Sequence, residues 1–177
     1  MSEVQSVYRY ILRREVADLR TAHEGAFVML NPSVADDTTD DPTIRRCSGF
    51  AKSFGWRGFV VINLFAARCT DPHRLAGMMR DFNIIGPEND AMFVALAADR
   101  TRPVVAAWGV AGGNLARFRA AEIIQRVPIN WKCLGTTQDG SPRHPLFVKA
   151  DAPLVAWDAH RWLRRHFGSG TGGLVSP

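Results

Sequence analysis

Short continuous apolar segments alternate along this chain with longer segments of helical length. The apolar runs are AFVML at 26–30, FVVIN at 59–63, PVVAAW at 103–108 and the weaker KCLG at 132–135. Runs of this length that are rich in Val, Ile and Phe are typical of strands buried on both faces. Apolar residues recur near helical spacing at about 42–54, 87–99, 112–126 and 152–166. The alternation predicts an α/β domain, a three-layer αβα sandwich with a central, mostly parallel sheet.

The two ends of the chain add further predictions. Residues 7–13 (VYRYILR) alternate apolar and polar side chains, which favours an edge or half-buried strand. Residues 168–177 (GSGTGGLVSP) are rich in Gly and Ser and predict a flexible tail. We expect residues 1–167 to form a single domain, because 177 residues suit one hydrophobic core better than two.

Composition and charge narrow the class of protein. Apolar residues make up 46% and charged residues 22%, close to the globular average, and the longest apolar runs are too short to cross a membrane. No basic-then-apolar leader opens the chain, so we expect a cytoplasmic protein. We also expect a monomer without a membrane partner. The net charge of +5 and the pI of 9.6 favour an anionic partner, DNA foremost.

The chain has three well-separated cysteines, Cys47, Cys69 and Cys133, and no C-x-x-C pair. An odd, dispersed set of this kind fits reduced thiols. It argues against an iron–sulfur cluster and against structural zinc. We therefore expect no cofactor.

An acidic loop follows the first apolar run, in the segment LNPSVADDTTDDPTIRRC (30–47). Asp41 precedes Pro42, which predicts a helix N-cap followed by a proline at the first helical position. Asp36 and Asp37 lie in the same loop and need no capping role. These two carboxylates are candidate catalytic groups that activate water.

Polar or glycine-containing turns follow the three strong apolar runs. Asn31 follows the first run and is restricted to an extended direction by Pro32. Asn63 ends the second run, and Trp108-Gly109 ends the third. In open α/β sheets, ligands bind beyond the carboxyl ends of the strands. The sequence therefore predicts the functional site at these three strand ends.

Four motifs resemble, in order and spacing, those of the uracil-DNA glycosylase superfamily. They are MLNPS (29–33), VINLFAARCTDP (61–72), VAAWGVAGG (105–113) and SPRHPLF (141–147). Almost the whole chain, about 8–150, also resembles a family of uncharacterised bacterial and phage proteins, the domain-of-unknown-function family 1643. The phrases that carry this second resemblance include GPENDA (86–91) and LNPSVADDTTDDPTIRRC.

The glycosylase resemblance implies a role for each strand-end residue. Asn31 would orient a water molecule, Asn63 would recognise the edge of the base, and His144 would donate a hydrogen bond to the departing base. The target base would be flipped out of DNA and stacked on an aromatic ring. The candidate stacking partners are Phe50, Phe65 and Trp108.

Hydroxyl and basic residues flank these motifs in the sequence. If they share one face, they form a phosphate-binding rim for DNA. The candidate rim residues are Ser33, Arg45, Arg46, Arg68, Arg143 and Lys149.

Two departures from the glycosylase pattern leave alternatives open. Leu146 stands where the late loop of the known enzymes has a phosphate-binding serine, and Asn31 stands where the most active branch has an aspartate. A module that binds a nucleobase or nucleotide without cleaving it is therefore the second hypothesis. A metal-dependent phosphohydrolase or nuclease at the acidic loop is the third. Its further ligands would be Asp71, His73 and Asp139.

Overall fold

Strands and helices alternate along the computed structural model, which describes residues 7–16, 23–33 and 39–168. The strands are β1 (Leu12–Glu15), β2 (Glu24–Met29), β3 (Gly58–Asn63), β4 (Val104–Ala106), β5 (Trp131–Cys133) and β6 (Val155–Ala156). The five α-helices in these ranges are α1 (Pro42–Ser53), α2 (Leu75–Met78), α3 (Asn89–Ala98), α4 (Gly113–Arg126) and α5 (Ala159–Phe167). Short 3-10 helices occupy Pro72–Arg74 and Pro145–Phe147.

The six strands form one mixed sheet in the order β1-β3-β2-β4-β5-β6. The four central strands run parallel, and the edge strands β1 and β6 pair antiparallel with β3 and β5. Met29 lies opposite Asn63, and Val28 lies opposite Ala106. Because parallel strands in this register end at the same edge, the segments that follow β2, β3 and β4 emerge side by side.

Both faces of the sheet are covered by apolar packing. Ala26 and Val28 of β2 belong to one buried cluster, to which α3, α4 and α5 contribute. Phe27 and Met29 belong to a second cluster, to which α1 contributes. Successive residues of a strand point to opposite faces, so helices on both sides require apolar residues at every position. This packing explains the continuous apolar runs of β2 and β3.

The element order agrees with the sequence predictions over most of the chain. The four apolar runs form β2, β3, β4 and β5, and α1, α3 and α4 lie where apolar periodicity predicted helices. Asp41 caps α1, since its Oδ1 accepts a hydrogen bond from the backbone N–H of Ile44 at 2.8 Å. The predicted α/β class is therefore confirmed, with a mixed sheet.

The first predicted strand differs from the observed one. The alternating segment 7–13 was expected to be a strand, but β1 begins only at Leu12 and continues beyond Arg13. Tyr8 forms just an isolated bridge with Ala67. Side-chain alternation does not locate a strand end, because pairing with β3 decides which residues join the sheet.

The last predicted helix, 152–166, is shorter than expected. Its first part contains the edge strand β6, and α5 begins only after Asp158. The Asp158 carboxylate accepts a hydrogen bond from the backbone N–H of Arg161 at 2.8 Å and so caps the helix. The predicted flexible tail lies, beyond Gly168, outside the described residues. Within the described ranges, no helix has the length and apolar character needed to span a bilayer.

Candidate functional site

A cavity of about 800 Å³ lies at the carboxyl edge of the sheet, where β2, β3 and β4 end. Apolar side chains such as Met29, Leu30 and Val61 form part of its wall. Six of the residues predicted from the sequence line it: Asn31, Ser33, Asn63, Trp108, Arg143 and His144. The carboxyl-edge site expected from the strand order is therefore a cavity with convergent polar groups.

Asn63 ends β3, lines the cavity and is only 3% exposed. Its carboxamide makes no hydrogen bond with any residue that the structure describes. Buried amides are normally paired, so an available amide in a cavity wall is suited to a polar ligand. It offers two donors and one acceptor in one plane.

Asn31 is held to the backbone by its side-chain nitrogen. Nδ2 donates to the carbonyl of Cys69 at 2.6 Å and to that of Pro32 at 3.1 Å. Both donors are therefore used, and the side-chain oxygen is the part of Asn31 that can interact with a ligand or a water molecule in the cavity.

His144 lies in the loop 141–148, here called the His144 loop. Its Nδ1 accepts a hydrogen bond from the backbone N–H of Leu146 at 3.3 Å, so the proton of the neutral ring is on Nε2. Burial lowers the pKa of His144, and the nearby Asp41 carboxylate opposes this effect. The ring is therefore neutral near pH 7 and can donate a hydrogen bond into the cavity.

A glycine allows the His144 loop to approach the end of β4. Gly109 adopts a φ of +68°, and a Cβ at this position would lie 3.0 Å from the Cβ of His144. A side chain here would be strained and crowded. The Trp108-Gly109 pair, singled out in the sequence as a strand end, therefore also permits the close packing of the His144 loop.

Arg46 supports the His144 loop from α1. Its Nε donates to the carbonyl of Pro145 at 3.2 Å, its Nη2 donates to the carbonyl of Val148, and its guanidinium lies over the Phe50 ring at 5.3 Å from the centroid. Arg46 was predicted to bind phosphate, which stays a prediction; the structure places its guanidinium against the loop backbone, and Arg46 is not among the residues that line the cavity.

The predicted stacking partners are divided between the cavity and the core. Trp108 lines the cavity and packs edge-on against Trp131 and Trp157. Phe50 and Phe65 are each 1% exposed and belong to the two buried clusters. The structure does not bring these two phenylalanines to the cavity, because the packing faces of α1 and of the turn after β3 bury their rings.

The remaining predicted residues lie away from the cavity lining. Arg45 and Lys149 are exposed, and Arg45 donates to the carbonyl of Asp40 at 2.7 Å. Arg68 is half-buried, and its Nε and Nη1 make no hydrogen bond within the described part of the chain. The remaining two catalytic candidates, Asp36 and Asp37, lie outside the described residues.

Several cavity residues were not predicted from the sequence. Arg9 is 7% exposed and lines the cavity, although it comes from the irregular segment before β1. Asp41 lines the cavity and accepts a hydrogen bond from Ser33 Oγ, in addition to its capping bond. Phe147 lies at the lining, is 75% exposed, and packs beside His144 with ring centroids 5.9 Å apart. Phe147 is the last residue of the SPRHPLF motif (141–147), and this position was the sequence signal that could have identified it.

Metal-ligating side chains do not converge in the part of the chain that the structure describes. No three His, Cys, Asp or Glu side chains there form a group that could hold a metal ion. Of the further ligands considered for the metal hypothesis, Asp139 accepts hydrogen bonds from Thr137 and Ser141.

Comparisons with known proteins bear on the family. Neither the curated proteins nor the solved structures gave a match. A family model matches residues 9–146, a span that contains β1 to β5 and the histidine of the His144 loop. The chain therefore belongs to the family described as Protein of unknown function (DUF1643).

Proposed function

We propose that this protein is a DNA glycosylase-like enzyme, which binds a deaminated or otherwise modified nucleobase in its cavity and hydrolyses the N-glycosidic bond. The observation that carries the proposal is the convergence of Asn31, Asn63 and His144 on one cavity at the carboxyl edge of the sheet. In this proposal, the sheet and its flanking helices have the three-layer arrangement of the uracil-DNA glycosylase superfamily.

The cavity has the size and chemistry of a site for a base. Its volume of about 800 Å³ falls in the range of small-molecule sites and leaves room for a base with its sugar. Apolar walls suit the faces of an aromatic ring, and a few polar groups suit its edge. Asn63 supplies two donors and an acceptor, and His144 supplies a donor from Nε2.

The proposed reaction breaks the bond between C1′ of the sugar and the ring nitrogen of the base. The bonding electrons leave with the base, and His144 stabilises the charge that develops on a base oxygen. The Asn31 oxygen orients a water molecule that attacks C1′ of the sugar cation. An amide is too weak a base to take a proton early, so the water loses its proton after attack. This proton balances the charge of the departing base.

Access to a base in DNA requires it to leave the stack. Phe147 is the exposed aromatic ring beside His144 and is suited to stack on a flipped or neighbouring base. Arg143 lines the cavity, and its Nε donates a hydrogen bond to the carbonyl of Thr136 at 2.9 Å. Its terminal nitrogens make no hydrogen bond with the described chain and can contact phosphate.

An oligonucleotide screen tests the proposed activity. Single- and double-stranded oligonucleotides that carry uracil, hypoxanthine or another altered base are incubated with the protein and then heated in alkali, which breaks the strand at abasic sites. We expect breaks at one defined base, and much slower formation of these breaks with Asn31→Ala. Absence of breaks at every base, under conditions where the protein binds the oligonucleotides, would reject the glycosylase activity.

A binding module without cleavage is the second candidate. The observation that favours it is the lack of a free carboxylate among the described residues that line the cavity. Asp41 is the carboxylate in the lining, and its two oxygens accept hydrogen bonds from Ile44 and Ser33. This candidate predicts base-dependent binding of the same oligonucleotides, measured by fluorescence anisotropy, with no strand breaks after alkali.

A further inference from the structure

Two buried polar side chains lie behind the turn that carries Asn63. Asn89, the first residue of α3, is fully buried, and Arg119 of α4 is 4% exposed. Neither of them lines the cavity. We propose that Asn89 and Arg119 form a clamp that positions Asn63 for ligand recognition. The identity of the ligand as a nucleobase rests on the proposed function, whereas the clamp itself does not.

The clamp binds the two carbonyl groups at the end of β3. Asn89 Nδ2 donates to the carbonyls of Asn63 and Leu64 at 3.1 and 3.0 Å, and Arg119 Nε donates to that of Leu64 at 3.1 Å. These carbonyls lie where the ladder of the sheet ends, so they need partners from elsewhere.

The other side of the same turn is held by β2 and the residue after it. The backbone N–H of Leu64 donates to the carbonyl of Met29 at 2.9 Å, and that of Phe65 donates to the carbonyl of Leu30 at 3.0 Å. The peptide groups after Asn63 are therefore fixed on their N–H side by β2 and on their carbonyl side by the clamp. This double attachment determines the direction of the Asn63 side chain.

Burial of the clamp has costs that a residue with only a space-filling role would avoid. Asn89 Oδ1 is buried and makes no hydrogen bond within the described residues. Arg119 needs the carboxylates of Asp90 and Glu122 to balance its charge. An apolar side chain would fill the same space without an unpaired oxygen or a buried charge. The donors of the clamp are therefore the reason for these residue types.

The clamp also explains the sequence phrase GPENDA (86–91), to which the proposed reaction assigns no role. Gly86 adopts a φ of +87°, and a Cβ there would lie 2.9 Å from the Tyr10 ring. The turn it makes leads into Asn89, whose N–H donates to the Gly86 carbonyl at 3.2 Å. Asp90 pairs with Arg119. One short segment thus supplies the turn, a clamp donor and a counter-ion of the clamp.

Nuclear magnetic resonance of the ¹⁵N-labelled protein tests the clamp without any ligand. The side-chain amide signals of Asn63 are assigned by their loss in Asn63→Ala. We expect Asn89→Ala to shift or broaden these signals, because the turn loses its carbonyl attachment. The matched control is Asn130→Ala, which changes an exposed asparagine directly before β5, at the opposite end of the sheet. Asn63 signals that are unchanged in Asn89→Ala would overturn the proposal.

Arg119→Lys keeps the test decisive if Asn89→Ala fails to fold. Lysine retains the charge opposite Asp90 and Glu122 but lacks the Nε group that donates to Leu64. We expect the Asn63 signals to shift in this variant as well, by less than in Asn89→Ala. A folded Arg119→Lys protein with wild-type Asn63 signals would overturn the role of Arg119.

A double-mutant cycle separates positioning from stability. With an oligonucleotide that carries one uracil and a second that carries one hypoxanthine, Asn89→Ala should weaken anisotropy-measured binding roughly 10-fold, as for other residues that orient a ligand-binding group. In the Asn63→Ala background it should have no further effect. An equal loss in both backgrounds would contradict action through Asn63. If neither oligonucleotide binds the wild type, uracil and hypoxanthine are not the bases that the proposed function requires. The nuclear magnetic resonance experiment then still tests whether the clamp positions Asn63.

Discussion

Asn31 and Cys69 lie 38 positions apart in the sequence, yet Asn31 Nδ2 donates to the Cys69 carbonyl across 2.6 Å. The backbone N–H of Cys69 in turn donates to the carbonyl of Pro32 at 3.1 Å. The segments that follow β2 and β3 are therefore joined by reciprocal bonds beside the cavity. This connection fixes the plane of the Asn31 amide and leaves its oxygen for a ligand or a water molecule.

Asn31→Ala should separate chemistry from binding. If the oxygen orients water, cleavage of the base identified in the screen should slow about 100-fold in single-turnover experiments, at the low end for positioned catalytic groups. Affinity should stay nearly unchanged, because the lost interaction belongs to the transition state. Loss of two bonds to backbone carbonyls should lower the free energy of unfolding by about 1–3 kcal/mol. Equal losses of rate and affinity would show that Asn31 only forms the turn.

Asn63→Asp should change which base the protein prefers. The substitution replaces the amide donors by acceptors. A base that presents a donor at this position should therefore gain affinity relative to the base that the wild type prefers. The discrimination expected for a bidentate base contact is roughly 1–3 kcal/mol, measured by competition anisotropy. Asn63→Ala should leave the melting temperature nearly unchanged, since the side chain makes no hydrogen bond to the described chain. A large loss of stability in Asn63→Ala would show that the residue is structural.

The lowered pKa of His144 predicts a pH dependence of stability. Burial places this pKa below the ordinary value of 6.5. Between the lowered value and 6.5, the folded protein binds fewer protons than the unfolded chain. The contribution of neutral His144 to the free energy of unfolding is therefore fully present above pH 6.5. It decreases as the pH falls toward the lowered pKa. Urea unfolding should show that the wild type loses stability relative to His144→Gln as the pH is lowered from 7 through this range.

The matched control for this pH effect is His160→Gln, which changes an exposed histidine of α5. Because this change leaves His144 in place, the pH-dependent loss of stability assigned to His144 should persist in the variant. A His144→Gln curve that runs parallel to the wild-type curve would contradict the lowered pKa of His144. Protonation should also disrupt the bond from Leu146 to Nδ1, so ligand affinity should change in the same pH range.

The sequence predicted the elements of the fold better than the surroundings of individual side chains. Continuous apolar runs located β2 and β3, and apolar periodicity located α1, because both patterns reflect burial directly. It could not show that Phe50 packs in the core or that Arg46 binds loop carbonyls. These outcomes depend on the packing of α1 against a loop almost 100 residues later in the chain. Local signals carry no information about such contacts.

The strand-end residues were the most predictable part of the site. Asn31 and Asn63 follow buried strands, so parallel pairing alone brings them to one edge of the sheet. Arg9 was not predicted, because it lies before β1 in a segment that forms no regular structure. Its place at the cavity depends on a backbone bond from its N–H to the carbonyl of Ala66 at 2.9 Å.

The three cysteines should differ sharply in reactivity. Cys47 and Cys133 are buried, and burial raises the pKa of both thiols. Cys69 is half-buried and lines the cavity. Iodoacetamide should therefore modify Cys69 in the folded protein and the other two only in denaturant. Mass spectrometry of tryptic peptides measures this order.

Ligand protection extends the cysteine experiment to the cavity. An oligonucleotide that occupies the cavity should slow alkylation of Cys69 in proportion to the bound fraction. Cys69→Ser is the control that should abolish labelling of the folded protein. Undiminished alkylation of Cys69 at saturating oligonucleotide would place the bound ligand outside the cavity.

Two glycines provide a matched pair for the position of His144. Gly109 and Gly113 both have positive φ, +68° and +55°. A Cβ on Gly109 would lie 3.0 Å from His144, whereas a Cβ on Gly113 would meet nothing within 4 Å. Both changes to alanine should cost roughly 1–3 kcal/mol of stability through backbone strain. Only Gly109→Ala should also displace His144 and weaken binding of the base found in the screen. Equal affinities in the two variants would show that contact with Gly109 does not set the position of His144.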